Sequence, residues 1–217
     1  MVGSDRYQAG GSQAAWQHGS GDKVLLNKLG IVDPMEMGEA ELHLLLKLYD
    51  LVLEQGFPAR RLDVADLKEW HRLWLGNLYD WAGEERTVNL SKGDFHFAAA
   101  AQLPRLLRDF ETRHLHRYTP CHRMADAALV EAIAQCHVEL ILIHPFREGN
   151  GRLSRLLADV MAVQAGDGPL DYSAWDADKV TYFSAIQRGM DRDYAPMCEL
   201  VSRALDAARA SRRAKDG

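Results

Sequence analysis

The residues able to do chemistry are concentrated in one run, HPFREGNGRLSR at positions 144–155, which holds His144, Glu148, Gly149, Asn150, Gly151, Arg152 and Arg155. An imidazole, a carboxylate, two glycines around an asparagine and two arginines three residues apart suit a phosphate-bearing ligand. Arg152 and Arg155 fall on one helix face and can grip successive phosphates as forked donors. Gly149 and Gly151 allow a ligand to approach the backbone closely. The helix predicted to start at Gly151 turns its unpaired N–H groups and its positive dipole end toward the loop, which makes an anion cradle. Glu148 offers a hard oxygen ligand suited to Mg²⁺ shared with phosphate oxygens, and Asn150 offers an amide donor. Pro145 disfavours helical backbone at His144, so the imidazole stands at a loop edge, and its ordinary pKa suits proton abstraction near neutrality.

Apolar runs flank this stretch and must position it. A helix predicted over residues 124–143 ends in Leu140-Ile141-Leu142-Ile143, and the one from Gly151 carries Leu156, Leu157, Val160 and Met161. Stripes this apolar belong to the central helices of a bundle. Asp33 caps a helix with Pro34 in its first turn, and Gly56 closes it. Asp63 caps the next, with Val64, Leu67, Trp74 and Leu78 at helical spacing. Another starts near Pro104, with Leu103, Leu106, Leu107 and Phe110 on one side. One more follows an Asp176 cap, with Val180, Phe183, Ile186 and Met190. The last covers residues 196–208. The expected fold class is all-α.

One segment departs from it. Residues 86–97 mix β-branched and aromatic side chains around Lys92-Gly93-Asp94, a turn signal, and predict a short two-stranded hairpin. Such a hairpin must lean on the helices or a partner, and its edge can pair with an extended peptide. Residues 1–22 are rich in Gly, Ser and Gln and read as a flexible arm that Tyr7 or Trp16 can dock. Residues 23–209 form the folded domain, and 210–217 a frayed basic tail.

Composition excludes several classes. A net charge of −5 and a pI near 6.0 give no global basic field for nucleic acid or membranes. Cys121, Cys136 and Cys198 are odd in number with no CxxC spacing, which argues against a disulfide framework or zinc site and for a reducing cytosol. No apolar run reaches the length of a membrane span and no signal-peptide core is present, so a cytoplasmic location is expected. Trp70, Trp74 and Trp81 read as core or hairpin support. His71 reads as solvent-facing or bonded to a backbone carbonyl, and His137 as a satisfied core histidine. His114, His116 and His122 with Cys121 fit no common zinc spacing.

The run at 144–155 resembles the signature of the Fic family, H-x-F-x-[D/E]-G-N-G-R-x-x-R, with every constrained position present. The resemblance extends over residues 23–205: Asn27-Lys-Leu-Gly-Ile31 is similar to the family's opening, and Leu78-Tyr-Asp-Trp-Ala-Gly83 with Arg86-Thr87 to the segment before its β-hairpin flap. Ser91-Lys-Gly93 is similar to the flap, and residues 182–193 to the helix behind the nucleotide. The resemblance implies a Fic-type helical bundle and a protein adenylyltransferase, which transfers AMP from ATP to a Tyr, Thr or Ser hydroxyl of a target and releases pyrophosphate. By family roles His144 is the base, Glu148 binds Mg²⁺, and the Gly149-Asn150-Gly151 turn holds the α- and β-phosphates. Arg152 and Arg155 neutralise phosphates, and Phe146 anchors the loop in the core. Lys92, Gly93, Tyr182 and Met190 fall where members of the family contact adenosine, and the flap near residues 91–97 aligns the target segment.

Two further features bear on the reaction and its control. The kinase-like relatives carry Lys in place of the second motif glycine, whereas Gly151 keeps the AMP-transfer form. No Ser or Thr here begins the inhibitory pattern [S/T]-x-x-x-E-[G/N], which leaves Arg155 without an intramolecular glutamate and implies a toxin restrained by a small separate antitoxin. Toxins of that kind modify the ATPase subunits of DNA gyrase and topoisomerase IV, and host-directed members modify small GTPases. Beside AMP transfer, two other classes fit the residues: an enzyme using another nucleotide or phosphate donor, and a binding module with a degenerate site.

Overall fold

The computed structural model describes residues 8, 9, 13 and 15–216. The chain forms two compact units, each assembled from separated stretches. The first comprises Met1–Gly56, Val64–Leu107 and Ile143–Asn150, and the second Phe57–Asp63, Arg108–Leu142 and Gly151–Gly217.

The first unit begins with α1, Pro34–Tyr49, where Asp33 accepts from Met35 N and Glu36 N as predicted. The helix continues as π-helical turns, Asp50–Gln55, and stops at Gly56, whose N–H bonds Leu51 O at 2.8 Å. Helix α2, Val64–Leu75, buries Leu67, Trp70, His71, Trp74 and Leu75. Leu78, expected on the same helix, lies three residues past its end and is fully buried. Strands β2, Leu90–Lys92, and β3, Phe95–His96, make the expected hairpin, with Ser91 opposite His96 and Lys92 opposite Phe95. A further strand, β1, Gln8–Ala9, pairs antiparallel with β2 and gives the order β1-β2-β3. The expected free arm is thus tied in at its described residues: Trp16 bridges Leu25, and the Gln17 side chain accepts from Asn27. Tyr7 lies outside the described residues.

The second unit contains the later part of α3, Leu103–Phe110, followed by π-helical turns over Glu111–Leu115 and the short α4, His116–Tyr118. Helix α5, Asp126–Ile143, begins two residues later than predicted, and α6, Asn150–Gln164, one residue earlier. Ile133, Val138, Leu153, Leu156, Leu157, Val160 and Met161 are all but inaccessible to solvent, as the apolar pattern requires. Asp176 does not cap the next helix. It lies inside α7, Ser173–Ala177, and Asp178 caps α8, Lys179–Arg188, by accepting from Thr181 N. The buried face of α8 is Tyr182, Ala185 and Ile186, while Val180, Phe183 and Met190 are exposed. Of the expected stripe Ile186 alone lies on the buried face, because the apolar residues are spread around the helix and their period does not choose a side. Helix α9, Ala195–Asp216, runs through the expected tail. Arg209 on it forks onto Asp126 (2.9 and 2.9 Å) and onto Asp167 (2.8 and 2.7 Å), and Arg212 adds a bond to Asp167.

The Arg209 hydrogen bonds hold the carboxyls of Asp126 and Asp167 below the usual carboxylate range. Depressed carboxylates contribute stability above their unfolded pKa and lose it as pH falls through the lowered folded value. Arg209→Ala is expected to lower the melting temperature at neutral pH by roughly 2–5 °C. The gap to the parent should begin to narrow below about pH 4, where these carboxyls protonate in the unfolded chain, and close as pH falls through their lowered folded values. Thermal melts from pH 7 to pH 3 check this.

Candidate active site

The motif runs through both units: residues 144–150 belong to the first and 151–155 to the second, along the unbroken chain of α6.

In the first unit α5 ends at Ile143, and His144 takes a left-handed backbone with φ 51°. For a residue with a side chain that conformation costs roughly 1–2 kcal/mol, so other bonds must hold it. Arg86 does so. Only 2% exposed, it donates from Nε to His144 O (2.6 Å) and from Nη1 to Val88 O (2.6 Å). Its Nη2 donates to Ile143 O (3.3 Å) and to Ala98 O. A cation is favoured among the last carbonyls of a helix, where the dipole is negative. Burial pulls the Arg86 pKa down to about 10, which leaves the group charged at neutral pH. The His144 imidazole is 2% exposed and stacks on Phe97 with ring centroids 3.7 Å apart. Phe97 immediately follows β3, and its N–H continues the ladder to Leu90 O at 3.1 Å. The hairpin therefore covers the imidazole through Phe97.

The rest of the loop is held from inside. Asn150 Oδ1 accepts from Phe146 N (2.9 Å) and Nδ2 donates to Phe146 O (2.7 Å). Both ends of the buried Asn150 amide thus close the loop on Phe146. Phe146 is buried as expected and stacks on His71, with ring centroids 4.0 Å apart. His71 Nδ1 accepts from Gly83 N (2.8 Å), so the proton sits on Nε2, which donates to Glu148 O at 3.0 Å. The carbonyl-bonding reading of His71 holds, and the carbonyl belongs to the motif itself. Arg147 Nε donates to Gln13 O (2.9 Å), while Gln13 Oε1 accepts from Thr87 N (2.9 Å). Glu148 is half-exposed between the buried Arg147 and Gly149, with Oε1 accepting from Gly149 N at 2.9 Å. A half-exposed hard oxygen in an otherwise buried loop fits a shared Mg²⁺.

Gly149 is required twice over. Its φ is 81°, and a Cβ there would lie 2.7 Å from Trp74 Cζ3. Trp74 cannot retreat: it is fully buried and its Nε1 donates to Glu41 O at 2.9 Å.

In the second unit Arg152 stands half-buried in the first turn of α6, and Arg155 follows one turn on. Arg155 has a carboxylate partner of a different kind from the inhibitory glutamate, the aspartate Asp176. Its Nη1 and Nη2 fork onto Asp176 at 3.2 and 2.8 Å, and its guanidinium lies over the Tyr172 ring, 4.8 Å from the centroid. The Trp175 and Tyr182 rings are 5.9 and 6.0 Å away. Burial opposes the Arg155 charge, but the Asp176 hydrogen bond and charge outweigh it and raise the pKa. The Arg155 hydrogen bond holds the Asp176 carboxyl below its usual range.

Of the expected adenosine contacts, Tyr182 lies on α8. It is buried, its hydroxyl lies 2.8 Å from His137 Nε2, and its ring stacks on Trp175. Burial pulls the His137 pKa down to about 4, so that imidazole is a neutral core group, as read. Met190 is exposed in the turn after α8, and Lys92 and Gly93 form the hairpin tip. His116 pairs with Asp63 at 2.6 Å, apart from His122, which approaches Ala59 O at 3.4 Å. Sequence reasoning missed Arg86, Phe97, Gln13 and Asp176. A lone arginine between turn residues in a β-like segment was the available signal for Arg86; the others had none.

This fold and motif define a class. Residues 61–162 match the Fic/DOC family. Over 185 residues it is 26% identical to "Probable protein adenylyltransferase y4lH" of Sinorhizobium fredii, covering 85% of this chain and 93% of that protein. It is 28% identical over 195 residues to "Probable protein adenylyltransferase Fic" of Salmonella typhimurium, covering 87% and 91%. Among solved structures it is similar to the N-terminal Fic domain of a VirB-translocated Bep effector protein with bound ADP from Bartonella quintana. There the TM-score is 0.69 at 25% identity, over 87% of this chain and 92% of that one.

Gly149→Ala is expected to destabilise the protein by roughly 2–4 kcal/mol, the sum of a left-handed backbone and an overpacked contact. In a Trp74→Phe background, which lacks the clashing ring carbons, the steric part should disappear. Denaturant titrations of the four variants of this cycle measure both parts.

Proposed function

We propose that this chain is a protein adenylyltransferase that moves AMP from ATP to a hydroxyl side chain of a target protein. The carrying observation is the complete run of residues 144–155, with His144 locked in a left-handed backbone at the end of α5 and Glu148 turned outward from a buried loop. The names of the relatives from Sinorhizobium and Salmonella support it.

In the proposed step the target oxygen forms a bond to Pα. The bond from Pα to the bridging oxygen breaks, pyrophosphate leaves with that oxygen, and the hydroxyl proton passes to His144. The backbone at Gly149–Gly151 and the Arg152 and Arg155 guanidiniums hold the phosphates, so that positioning and charge neutralisation supply most of the acceleration. Glu148 would hold Mg²⁺, which when bound neutralises phosphate oxygens. Before Arg155 can grip a phosphate it must leave Asp176.

The finer reading is that a target strand adds to β3, since the other side of β2 is taken by β1, and lifts Phe97 off His144 as it docks. Lys92 and Gly93 at the hairpin tip and Met190 remain the adenosine contacts of this reading. A small antitoxin glutamate would compete with Asp176 for Arg155, and the cytoplasmic targets would be the ATPase subunits of gyrase and topoisomerase IV. A second reading, a host-directed effector acting on small GTPases, is favoured by the likeness to the Bartonella quintana protein.

Incubation with α-labelled and γ-labelled ATP tests the reaction. Label from the α position alone on a target is expected, and γ label would indicate a kinase instead. His144→Ala should abolish labelling in a chain that still unfolds cooperatively, at a melting temperature lowered by loss of the buried, stacked ring. Bacterial and animal-cell lysates run side by side separate the two target readings. Asp176→Asn should tighten binding of a non-hydrolysable ATP analogue about 2–5-fold, the scale of a half-exposed ion pair; calorimetry measures it.

A further inference from the structure

Helix α1 carries apolar residues on two opposite faces. Met37, Glu41 and Leu48 face the interior of the first unit, where Glu41 accepts from the Tyr79 hydroxyl at 2.7 Å. Met35, Leu42 and Leu46 are 74%, 54% and 61% exposed. At 3.6 residues per turn these three lie within about 40° of one another and roughly 140° from the buried face. Solvated helix faces are ordinarily polar. A straight apolar stripe on one is an interaction surface.

We infer that this stripe pairs antiparallel with α1 of a second copy of the chain. The pattern is self-complementary. A two-fold axis midway between Leu42 and Leu46 sets Leu42 of each copy against Leu46 of the other, the isologous arrangement of a closed dimer. In an antiparallel pair the same flank of each helix meets, and here that flank holds Glu36, Glu39, His43, Lys47 and Asp50, all exposed. Glu39 of one copy then falls within a turn of Lys47 of the other, twice over. Glu36 falls near Asp50, a like-charge contact at the outer ends. Exposed pairs of either sign are each worth about 1 kcal/mol or less, so the inner attraction and the outer repulsion largely offset. Apolar burial must carry the association and the charges set its register. Three apolar side chains per copy make a small interface, which places the dissociation constant on the order of micromolar rather than nanomolar. The pairing is independent of the proposed reaction.

Sedimentation equilibrium of the full chain, over a roughly hundred-fold range spanning micromolar concentration, tests it. The weight-average mass should climb from 24.4 kDa toward twice that value. Leu46→Asp, at an exposed position, should remain at the monomer mass throughout with its melting temperature retained. Glu39→Lys should weaken association about 5–10-fold, and Glu39→Lys with Lys47→Glu should restore it. A parent chain that stays monomeric, a dimer that survives Leu46→Asp, or a charge swap that fails to rescue would each overturn the assignment.

Discussion

The guanidinium of Arg86 is the constraint on which the motif end of the first unit depends. It is buried, charged and surrounded by carbonyl oxygens rather than by a carboxylate. A buried cation of this kind persists only when nearly every donor is used. Arg86 uses its donors on the end of α5 and on both flanks of the hairpin, so it fixes the backbone of His144 and the root of the roof above it together. The left-handed turn at His144 is thus held by a charge-assisted bond to its own carbonyl, which secures the backbone without engaging the imidazole nitrogens.

The motif loop is rigid for reasons that have little to do with phosphate. Asn150 closes it through Phe146, His71 props it from below through the Glu148 carbonyl, and Trp74 leaves no room above itself for any residue but glycine at 149. Only Glu148 turns out toward solvent from this stretch. A preorganised loop of this kind needs no rearrangement when charge develops in a transition state, and that is where electrostatic catalysis gets most of its effect. The movable parts lie elsewhere: the hairpin with Phe97 in the first unit, and the half-exposed Arg155–Asp176 pair in the second. Each must give way for the proposed reaction, one for the target and one for the nucleotide.

The described part of the N-terminal arm shows how little sequence is needed to tie a segment down. Gln13 alone bonds both Thr87, at the approach to the hairpin, and Arg147, in the motif loop. A polar, glycine-rich composition signals the absence of an apolar stripe, but not the absence of single well-placed hydrogen bonds. The same limit applies to α8. There Tyr182 is buried while Val180 and Met190, expected on the inner face, are exposed. The apolar residues there are spread around the helix, so periodicity did not choose a face.

What the sequence determined by itself was whatever depends on residue type and near spacing. The helical class, the cap at Asp33, the hairpin turn at Lys92-Gly93 and the run of residues 144–155 all follow from local patterns, because dihedral preference and amphipathic period act within a few residues. Tertiary structure decided which polar groups are already spent. That Asn150 serves its own loop, that Tyr182 answers His137, that Asp176 holds Arg155, and that Arg86 and His71 reach the motif from far along the chain are outcomes of packing. Buried donors and acceptors must be paired, yet the partner is set by proximity in space, and no spacing rule in the chain encodes it.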